Sequence, residues 1–377
     1  MNELDQVLDA VAAGDGEGLA LATVVAAQGS TYRRPGARLV VGAGGETVGN
    51  VSGGCLEAEV IDTAGQVLAT GRPRMLRFDL GAEAGAPWGW GLGCNGVIEV
   101  LVEPVSPDRA WVRALRAARR QDRAVAVVTV LEGDRLGSRL VVHPGGTTEG
   151  DLGHPATNEA ARRHGLDALA QGSRRTSTLG AGPRVFVEAL PPPLRLVVCG
   201  AGPDAEPLVA AGASLGWRVE VVDDRPRRLA AGRFPEARRL VHSQPAGVTE
   251  AVAVDARTYA VVMSHDFWRD QGYLRSLLNS PVAYLGVLGP RARLDQLLAA
   301  LAADGIHPRP GARERVHGPA GLDLGAEGPG EIAWSIATEI LAVSRGAGAG
   351  FLGRGRGRIS PGPEPAPPGG IPAAPGP

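Results

Sequence analysis

Residues 197–208, which read VVCGAGPDAEPL, carry the pattern that decides the fold of the second half of the chain. Gly200 allows a tight turn after an apolar strand, and Gly202 lets the backbone approach a diphosphate. The small Ala205 permits close packing of the helix that follows on the strand. Asp223 ends the next predicted strand, where an acid can accept hydrogen bonds from ribose hydroxyls. The pattern predicts a Rossmann-like fold with a nucleotide or nucleotide-like ligand, and a purely structural Rossmann fold is the alternative.

The rest of the sequence extends this prediction into an α/β architecture. Apolar strands alternate with helices over residues 194–345, which predicts a doubly wound parallel sheet covered on both faces. Three prolines at 191–193 mark the domain boundary. Residues 1–190 predict a mixed α/β domain, with a weaker pattern over 105–190, and no internal repeat is apparent. Residues 346–377, rich in glycine and proline, are expected to form a disordered tail.

Composition excludes several classes of protein. The 377 residues include 39 basic and 40 acidic side chains, so neither nucleic acid nor an anionic membrane is an expected partner. All the basic residues are arginine, which removes a Walker A lysine and a Schiff-base amine. The acidic start of the chain is unlike a secretory signal, no apolar run is long enough to span a membrane, and three cysteines cannot form a disulfide framework. A cytoplasmic protein with free thiols is expected.

Three residues of the second half fall where ligands of such sheets bind, outside the carboxyl ends of the strands. His265 and Asp266 follow the third predicted strand and could hold a polar ligand; helix capping is the alternative for Asp266. Arg291 lies just inside a helix start and suits an anion, and a solvated arginine is the alternative.

The first half places thiols among glycines. Cys55 lies in GNVSGGCLEAEV at the start of a predicted helix, whose dipole would stabilise a thiolate that acts as a nucleophile or a soft-metal ligand. Cys94 lies in a second glycine-rich turn, and a small buried hydrophobe is the alternative for either thiol. The loop QGSTYRRPG offers Ser30, Arg33 and Arg34, which suit a phosphate or a polar heterocycle unless the loop is only an exposed basic turn.

Four separated motifs, GSTYRRPGARLVV, GNVSGGCLEAEV, GCNGVIEVLVEP and HGPAGLDLGAEGPGEIAWSIATEI, occur in this order. Together they strongly resemble the XdhC/CoxI family, the accessory proteins of xanthine dehydrogenase and related molybdenum hydroxylases. The resemblance spans residues 5 to 345 and implies a cytoplasmic chaperone for the molybdenum cofactor, molybdopterin, rather than a turnover enzyme. It implies that the chaperone favours the sulfurated cofactor through contact with a cysteine desulfurase and hands it to an apo molybdenum hydroxylase. A homodimer is a further expected assembly.

The resemblance also assigns site residues. The family's two cysteine motifs fall on Gly53, Gly54, Cys55, Glu57 and Cys94. Cys55 and Cys94 are thereby candidate contacts to molybdenum. Asn95 stands where the family usually has glycine, and GPGEIAWSIATEI loosens a helix-start motif commonly written Thr-Pro-x-Glu.

Two other functions compete with this one. An NAD(P)-dependent oxidoreductase would use the glycine-rich turn and take His265 as its acid–base group. A zinc protein would use the thiols, although two cysteines make only half of a closed zinc set.

Overall fold

The computed structural model describes residues 3–14, 18–80 and 95–352 of the chain. Internal packing divides the chain into two compact units between Leu196 and Val197, and the segments Gly212–Glu220 and Pro235–Arg239 are grouped with the first unit. Most of the tail predicted over 346–377 lies outside the described residues. Within the described ranges, no helix is long and apolar enough to cross a membrane.

The first unit contains two five-stranded antiparallel sheets with the same strand order. The first sheet and its helices comprise α1 (Glu3–Ala13), β1 (Leu19–Ser30), β2 (Arg38–Gly42), β3 (Thr47–Gly49), α2 (Glu57–Thr70), β4 (Arg74–Asp79) and β5 (Asn95–Val105). The second comprises α3 (Ala110–Arg120), β6 (Val125–Val130), β7 (Arg139–Val142), β8 (Thr148–Gly150), α4 (Pro155–Gln171), β9 (Arg174–Thr178) and β10 (Arg184–Leu190). The strand orders are β3-β2-β1-β5-β4 and β8-β7-β6-β10-β9. The unit is therefore a duplication of one α-β-β-β-α-β-β motif.

The sequence repeats with the structure. Residues 36–49 read GARLVVGAGGETVG and residues 137–150 read GSRLVVHPGGTTEG, so that each partner lies 101 positions later. The expectation of no internal repeat is therefore wrong. The identities are concentrated in this hairpin and at the end of the next helix, where residues 68–74 read LATGRPR and residues 169–175 read LAQGSRR. Elsewhere the two copies share mainly a pattern of burial, as at Val51 and Leu152.

Two equivalent glycines show how closely the copies match. Gly49 and Gly150 end the hairpins with φ of 90° and 103°. A Cβ at Gly49 would lie 2.3 Å from the carbonyl oxygen of Arg38, and one at Gly150 would lie 2.2 Å from that of Arg139. Since real Cβ atoms do not approach a backbone oxygen so closely, only glycine fits at either position.

Alternate residues of the strands face two different cores. One face of the first sheet packs on α2 through Ala20, Ala22 and Val60, and the corresponding face of the second sheet packs on α4. The opposite faces share a single apolar cluster with α1 and α3, to which Val40 and Val141 contribute from equivalent strands. The two repeats thus bury a common interior, as sheets hydrophobic on both faces require.

Two buried ion pairs join the repeats reciprocally. Arg38 of the first repeat binds Glu188 on β10, with Nη1 3.4 Å from Oε1 and a second contact from Nη2 to Oε2. Arg139 of the second repeat binds Glu103 on β5, with Nη1 2.6 Å from Oε2. These four side chains are at most 10% exposed. Each arginine therefore depends on a carboxylate that the other repeat supplies.

The second unit holds most of a six-stranded sheet in the order β13-β12-β11-β14-β15-β16. Its elements are β11 (Arg195–Cys199), α5 (Ala205–Ser214), β12 (Arg218–Asp223), β13 (Arg239–His242), α6 (Val248–Ala251), β14 (Thr258–Val262), α7 (Phe267–Leu277), β15 (Tyr284–Val287), α8 (Arg291–Ala303), β16 (Val316–His317) and α9 (Pro329–Arg345). The pairs β14–β15 and β15–β16 are parallel. The predicted Rossmann-like sheet is confirmed. Successive strands are added on one side of β11 up to β13 and on its other side from β14 onward, so the topological switch point lies between β11 and β14.

The ion pairs generate a stability prediction. Replacing Glu103 by alanine should lower the free energy of unfolding by about 3–5 kcal/mol, because it leaves the buried guanidinium of Arg139 without a counter-charge. The double variant Glu103→Leu/Arg139→Met should recover most of that loss. Urea unfolding measures both, and Glu159→Ala, at the more exposed pair with Arg162, serves as the control with little change. Equal midpoints for Glu103→Ala and the wild type would refute the role assigned to the pair.

Candidate functional site

The residues between β3 and α2, numbers 50–56, form a loop here called the thiol loop. Ser52 is buried at its centre, and its Oγ accepts hydrogen bonds from the N–H groups of Gly54 at 3.1 Å and Leu56 at 3.2 Å. The same hydroxyl donates to the Glu57 carboxylate, which also accepts the Ser52 N–H at 2.8 Å. Ser52 thus does the work of a helix cap, displaced several residues before α2 begins.

Cys55 lies in this loop and is a partly exposed residue. Its Sγ is 3.7 Å from Ser52 Oγ, and its apolar side contacts the core that α2 covers. The helix begins at Glu57, so the thiol lies just before the helix and not within its first turn. Cys199 differs because it has no exposed surface, and burial raises the pKa of its thiol well above the ordinary value. Cys199 is therefore a core residue of the second unit.

Glu57 anchors the thiol loop. Burial alone would raise the pKa of its carboxyl, but the hydrogen bonds from Ser52 outweigh this effect and lower the pKa below the ordinary 4.5. The group is therefore a carboxylate near neutral pH. Its oxygens are directed at the Ser52 N–H and hydroxyl.

The loop after β1 approaches the thiol loop through Tyr32. The Tyr32 side chain is 67% exposed, and a Cβ at Gly53 would lie 3.6 Å from the ring carbon Cγ. Gly54, with φ of 109°, has open space around it. Tyr32 is not among the candidate residues of the sequence, although it is an aromatic residue between a hydroxyl and two arginines in a chain with 4 tyrosines.

The two arginines of this loop differ in their surroundings. Arg33 pairs with Glu3, and its Nε is buried without a hydrogen-bond partner among the residues that the structure describes. Arg34 is exposed. The unsatisfied Nε–H of Arg33 is thus enclosed by the protein, and Arg34 is the arginine of this loop that faces solvent.

The second candidate thiol, Cys94, lies outside the described residues. The chain resumes at Asn95, whose backbone pairs with Ser30 at the end of β1. Leu80, the last described residue before the gap, donates its N–H to the carbonyl of Gly96 at 2.8 Å. The two described residues that flank positions 81–94, Leu80 and Asn95, thus lie near the end of β1, where the loop that carries Tyr32 begins.

The second repeat lacks these features at the equivalent positions. Where the thiol loop reads SGGC, residues 153–156 read GHPA, and α4 begins there with His154 as N-cap, its Nδ1 3.2 Å from the N–H of Ala156. Asn158 takes the place of Glu57 and accepts the Leu152 N–H at 2.8 Å. Residue 133, equivalent to Tyr32, is glycine, and only residues 179–183 separate β9 from β10. Thiol, tyrosine and the cysteine-bearing segment belong to the first repeat alone.

In the second unit the predicted glycine turn meets the loop after β14. Gly200 has φ of 115°, and a Cβ there would lie 2.6 Å from Cα of Ser264. A Cβ at Gly202 would lie 3.7 Å from the ring of His265, whose Nε2 is 2.9 Å from a carboxylate oxygen of Asp204. The structure therefore brings Gly200, Gly202 and His265 together at the carboxyl ends of β11 and β14.

Asp223 is directed into the protein. Its side chain has no exposed surface and accepts hydrogen bonds from the N–H of Ala201 at 2.7 Å and from Arg225 Nε and Nη2 at 2.8 Å. Burial opposes ionisation, yet these bonds lower the pKa of Asp223 to about 2. The carboxylate expected to face a ribose is thus occupied by the protein's own donors.

The remaining candidates of the second unit have local partners. Asp266 is the N-cap of α7 and accepts the N–H of Arg269 at 2.9 Å, as its capping alternative predicts. Arg291 is exposed at the start of α8, 3.7 Å from Asp295. Across the described part of the chain, no group of three or more His, Cys, Asp or Glu side chains is placed to hold a metal ion.

Comparison with known proteins agrees with this arrangement. The profile of the XdhC and CoxI family matches residues 12–79 and 118–180, one segment in each repeat, and that of the XdhC Rossmann domain matches residues 196–340. A Bacillus subtilis protein named as a probable xanthine dehydrogenase subunit is 32% identical over 90% of this chain and 97% of its own length. The Escherichia coli molybdenum cofactor insertion chaperone PaoD is 24% identical over 73% of this chain and 68% of its own.

A solved structure shows the same fold. It is the crystal structure of a protein from Bacillus halodurans described as a xanthine dehydrogenase, with a TM-score of 0.74 and 28% identity. The match covers 92% of this chain and 96% of the other. Duplicated sheets, glycine turn and cysteine motifs are thus accompanied by similarity along nearly the whole length, and the chain belongs to the XdhC/CoxI family.

Proposed function

We propose that this protein binds the molybdenum cofactor at the thiol loop and delivers it to a molybdenum hydroxylase of the xanthine dehydrogenase type, without turning it over. The main support for this proposal is the difference between the two copies of the duplicated unit. One scaffold is present twice, but the partly exposed cysteine, the exposed tyrosine and the long segment with Cys94 occur once. Features confined to one copy of a duplicated fold are those that the fold itself does not need.

The chemistry of these groups suits molybdopterin. The cofactor combines a flat pterin, soft dithiolene sulfur, an oxidised metal and a phosphate. The Cys55 thiol is a soft ligand for the metal, and the exposed ring of Tyr32 offers a stacking face for the pterin. The exposed Arg34 and the partly exposed guanidinium of Arg33 supply positive charge for the phosphate.

The loop geometry supports presentation of the thiol. Ser52 and Glu57 fix the turn from within, so Gly53 and Gly54 form its outer surface. Because neither glycine carries a side chain, a flat ligand can approach the backbone between Tyr32 and the thiol. Cys94 directly precedes Asn95 in the sequence, and Asn95 pairs with the end of β1. This proximity in the chain supports a shared role for the two thiols.

The finer steps belong to the same proposal. A metal held by protein thiols is shielded from water, which favours retention of a sulfurated cofactor supplied by a cysteine desulfurase. Delivery requires contact with the apo hydroxylase in the cytoplasm, and a second copy of this chain is a further candidate partner. The PaoD name, which describes insertion of the cofactor, supports transfer over catalysis.

Replacing Cys55 by alanine should weaken retention of molybdopterin at least tenfold, because the soft contact to the metal is lost. Purified protein is incubated with molybdopterin, passed through a desalting column and assayed for the fluorescent pterin oxidation product. Ala156→Ser, at the equivalent position of the second repeat, is the matched control and should retain the cofactor as the wild type does. Equal retention by Cys55→Ala would refute the thiol contact even though the family assignment stands.

Tyr32→Ala should also weaken retention, by a factor of about 5 to 150, since stacking of a ring on an aromatic side chain contributes roughly 1–3 kcal/mol. Tyr32→Phe keeps the ring and should stay within about twofold of the wild type. The same desalting assay measures both variants. If Tyr32→Phe weakens retention as much as Tyr32→Ala does, the hydroxyl contributes to binding and the stacking proposal is wrong.

Glu57→Gln should destabilise the first unit near pH 7 by roughly 1–2 kcal/mol, because the charged acceptor of the Ser52 hydrogen bonds is lost. The pKa of Glu57 is lowered on folding, so its contribution is present above 4.5 and lost as the pH falls through the folded pKa. Urea unfolding of wild type and variant should therefore converge below pH 4.5. Glu59→Gln, on the exposed side of α2, is the control, and a difference that persists at low pH would contradict this assignment.

A further inference from the structure

The second unit contains a cavity of about 330 Å³ at the carboxyl ends of β14 and β15. Its lining residues are Asp204, Met263, His265, Leu288, Gly289, Pro290, Arg293 and Ile332. It lies beside the point where the strand order reverses, the usual ligand position in such sheets. The thiol loop and the proposed chaperone function leave this cavity without a role.

Most positions of the glycine turn offer no free backbone N–H to the diphosphate of a dinucleotide. Such a turn binds phosphate through free N–H groups at the start of the helix. Here the N–H of Ala201 donates to Asp223, and Pro203 has no N–H. The N–H groups of Ala205 and Glu206 donate, at 3.2 Å each, to carbonyl oxygens inside the turn. These donors are committed within the protein.

The charges of the turn also disfavour a diphosphate. Asp204 immediately precedes α5, and Glu206 lies in its first turn, so two carboxylates occupy the end of the helix that would attract an anion. Glu206 is balanced by Arg233, whose Nε is 2.7 Å away, and Asp204 contacts His265. The ribose-binding position fails as well, because Asp223 has no exposed surface. The fold is that of a dinucleotide-binding domain, but its recognition groups are directed inward.

His265 is held in a costly conformation at the cavity. Its φ of 59° is in the left-handed region, which costs a residue with a Cβ of order 1 kcal/mol or more. The neighbouring Ser264 fixes the backbone through hydrogen bonds to Asp270, with N–H and Oγ at 3.1 and 2.5 Å from the same carboxylate oxygen. The strained backbone directs an imidazole that is about half exposed toward Asp204. Such strain is typical of a binding site.

The polar groups of the cavity indicate what it can bind. Asp204 offers carboxylate oxygens, which only accept hydrogen bonds. Arg293 is oriented by Asp270, with Nη2 2.7 Å and Nε 3.3 Å from one oxygen, so its remaining N–H groups can donate elsewhere. Met263, Leu288 and Ile332 supply apolar walls. An acceptor and a donor set between apolar walls match a flat ring with adjacent N–H and C=O groups.

We infer that this cavity binds a compact, uncharged nitrogen heterocycle with adjacent N–H and C=O groups, and that it rejects nicotinamide dinucleotides. Asp204 accepts the ring N–H, and Arg293 donates to the ring carbonyl. The imidazole of His265 completes the polar side of the site. The volume lies at the lower end of the range for small-molecule pockets, which suits one fused ring and not a dinucleotide.

The test is calorimetric titration of the full-length protein with hypoxanthine, NADH and ADP-ribose. Hypoxanthine should bind, and Asp204→Asn and Arg293→Met should each weaken its affinity about tenfold or more, because each removes a charged hydrogen-bond partner. Glu206→Gln, which alters a nearby carboxylate outside the cavity lining, is the matched control and should leave the affinity unchanged. NADH and ADP-ribose should show no heat of binding at about millimolar concentration.

Two results would overturn the inference. The first is binding of NADH or ADP-ribose by the wild type, and the second is no binding of hypoxanthine by a folded wild-type protein. Hypoxanthine binding by Cys55→Ala should equal that of the wild type, because the thiol loop is not part of this cavity. The outcome therefore stands independently of molybdopterin retention.

Discussion

The first unit depends on two buried ion pairs that join its repeats, Arg38 with Glu188 and Arg139 with Glu103. A buried guanidinium is tolerated only with a counter-charge, and each repeat obtains its counter-charge from the other. The pairs therefore specify that the two sheets fold together. They also reach the candidate site, since the carbonyl of Arg38 packs against Gly49, the last residue before the thiol loop.

The duplication explains how chemistry was added without loss of the fold. In the second repeat the loop before the helix is short and obeys ordinary rules, with an N-cap at His154 and proline as the first helical residue. In the first repeat the helix begins later, its N-cap position holds Leu56 without a side-chain cap, and Ser52 takes over from within the loop. The usual rules for a helix start are broken at α2 and obeyed at α4. The thiol lies where they are broken, as is expected of a functional site.

Sequence reasoning recovered the features that depend on local pattern and missed those that depend on pairing. The glycine turn and the long helices were predictable because backbone geometry and apolar periodicity are written in consecutive residues. The strand Arg74–Asp79 was not, because its residues alternate poorly and pairing with β5 alone defines it. The exposure of Tyr32 likewise depends on contacts between distant segments. The repeat is different because it is written in the sequence, but its identities are confined to short stretches 101 positions apart.

Asp223 shows the limit of a fingerprint most clearly. Gly200 is required because the backbone of Ser264 approaches it, whatever ligand the sheet binds. The glycines are therefore required by the close approach of two loops. The ligand depends on other features, namely which backbone N–H groups are free and which carboxylates are accessible. Here Arg225 and the N–H of Ala201 occupy Asp223, while Asp204 remains partly exposed at the cavity. Two acids at neighbouring strand ends thus have opposite orientations, which residue type and spacing do not encode.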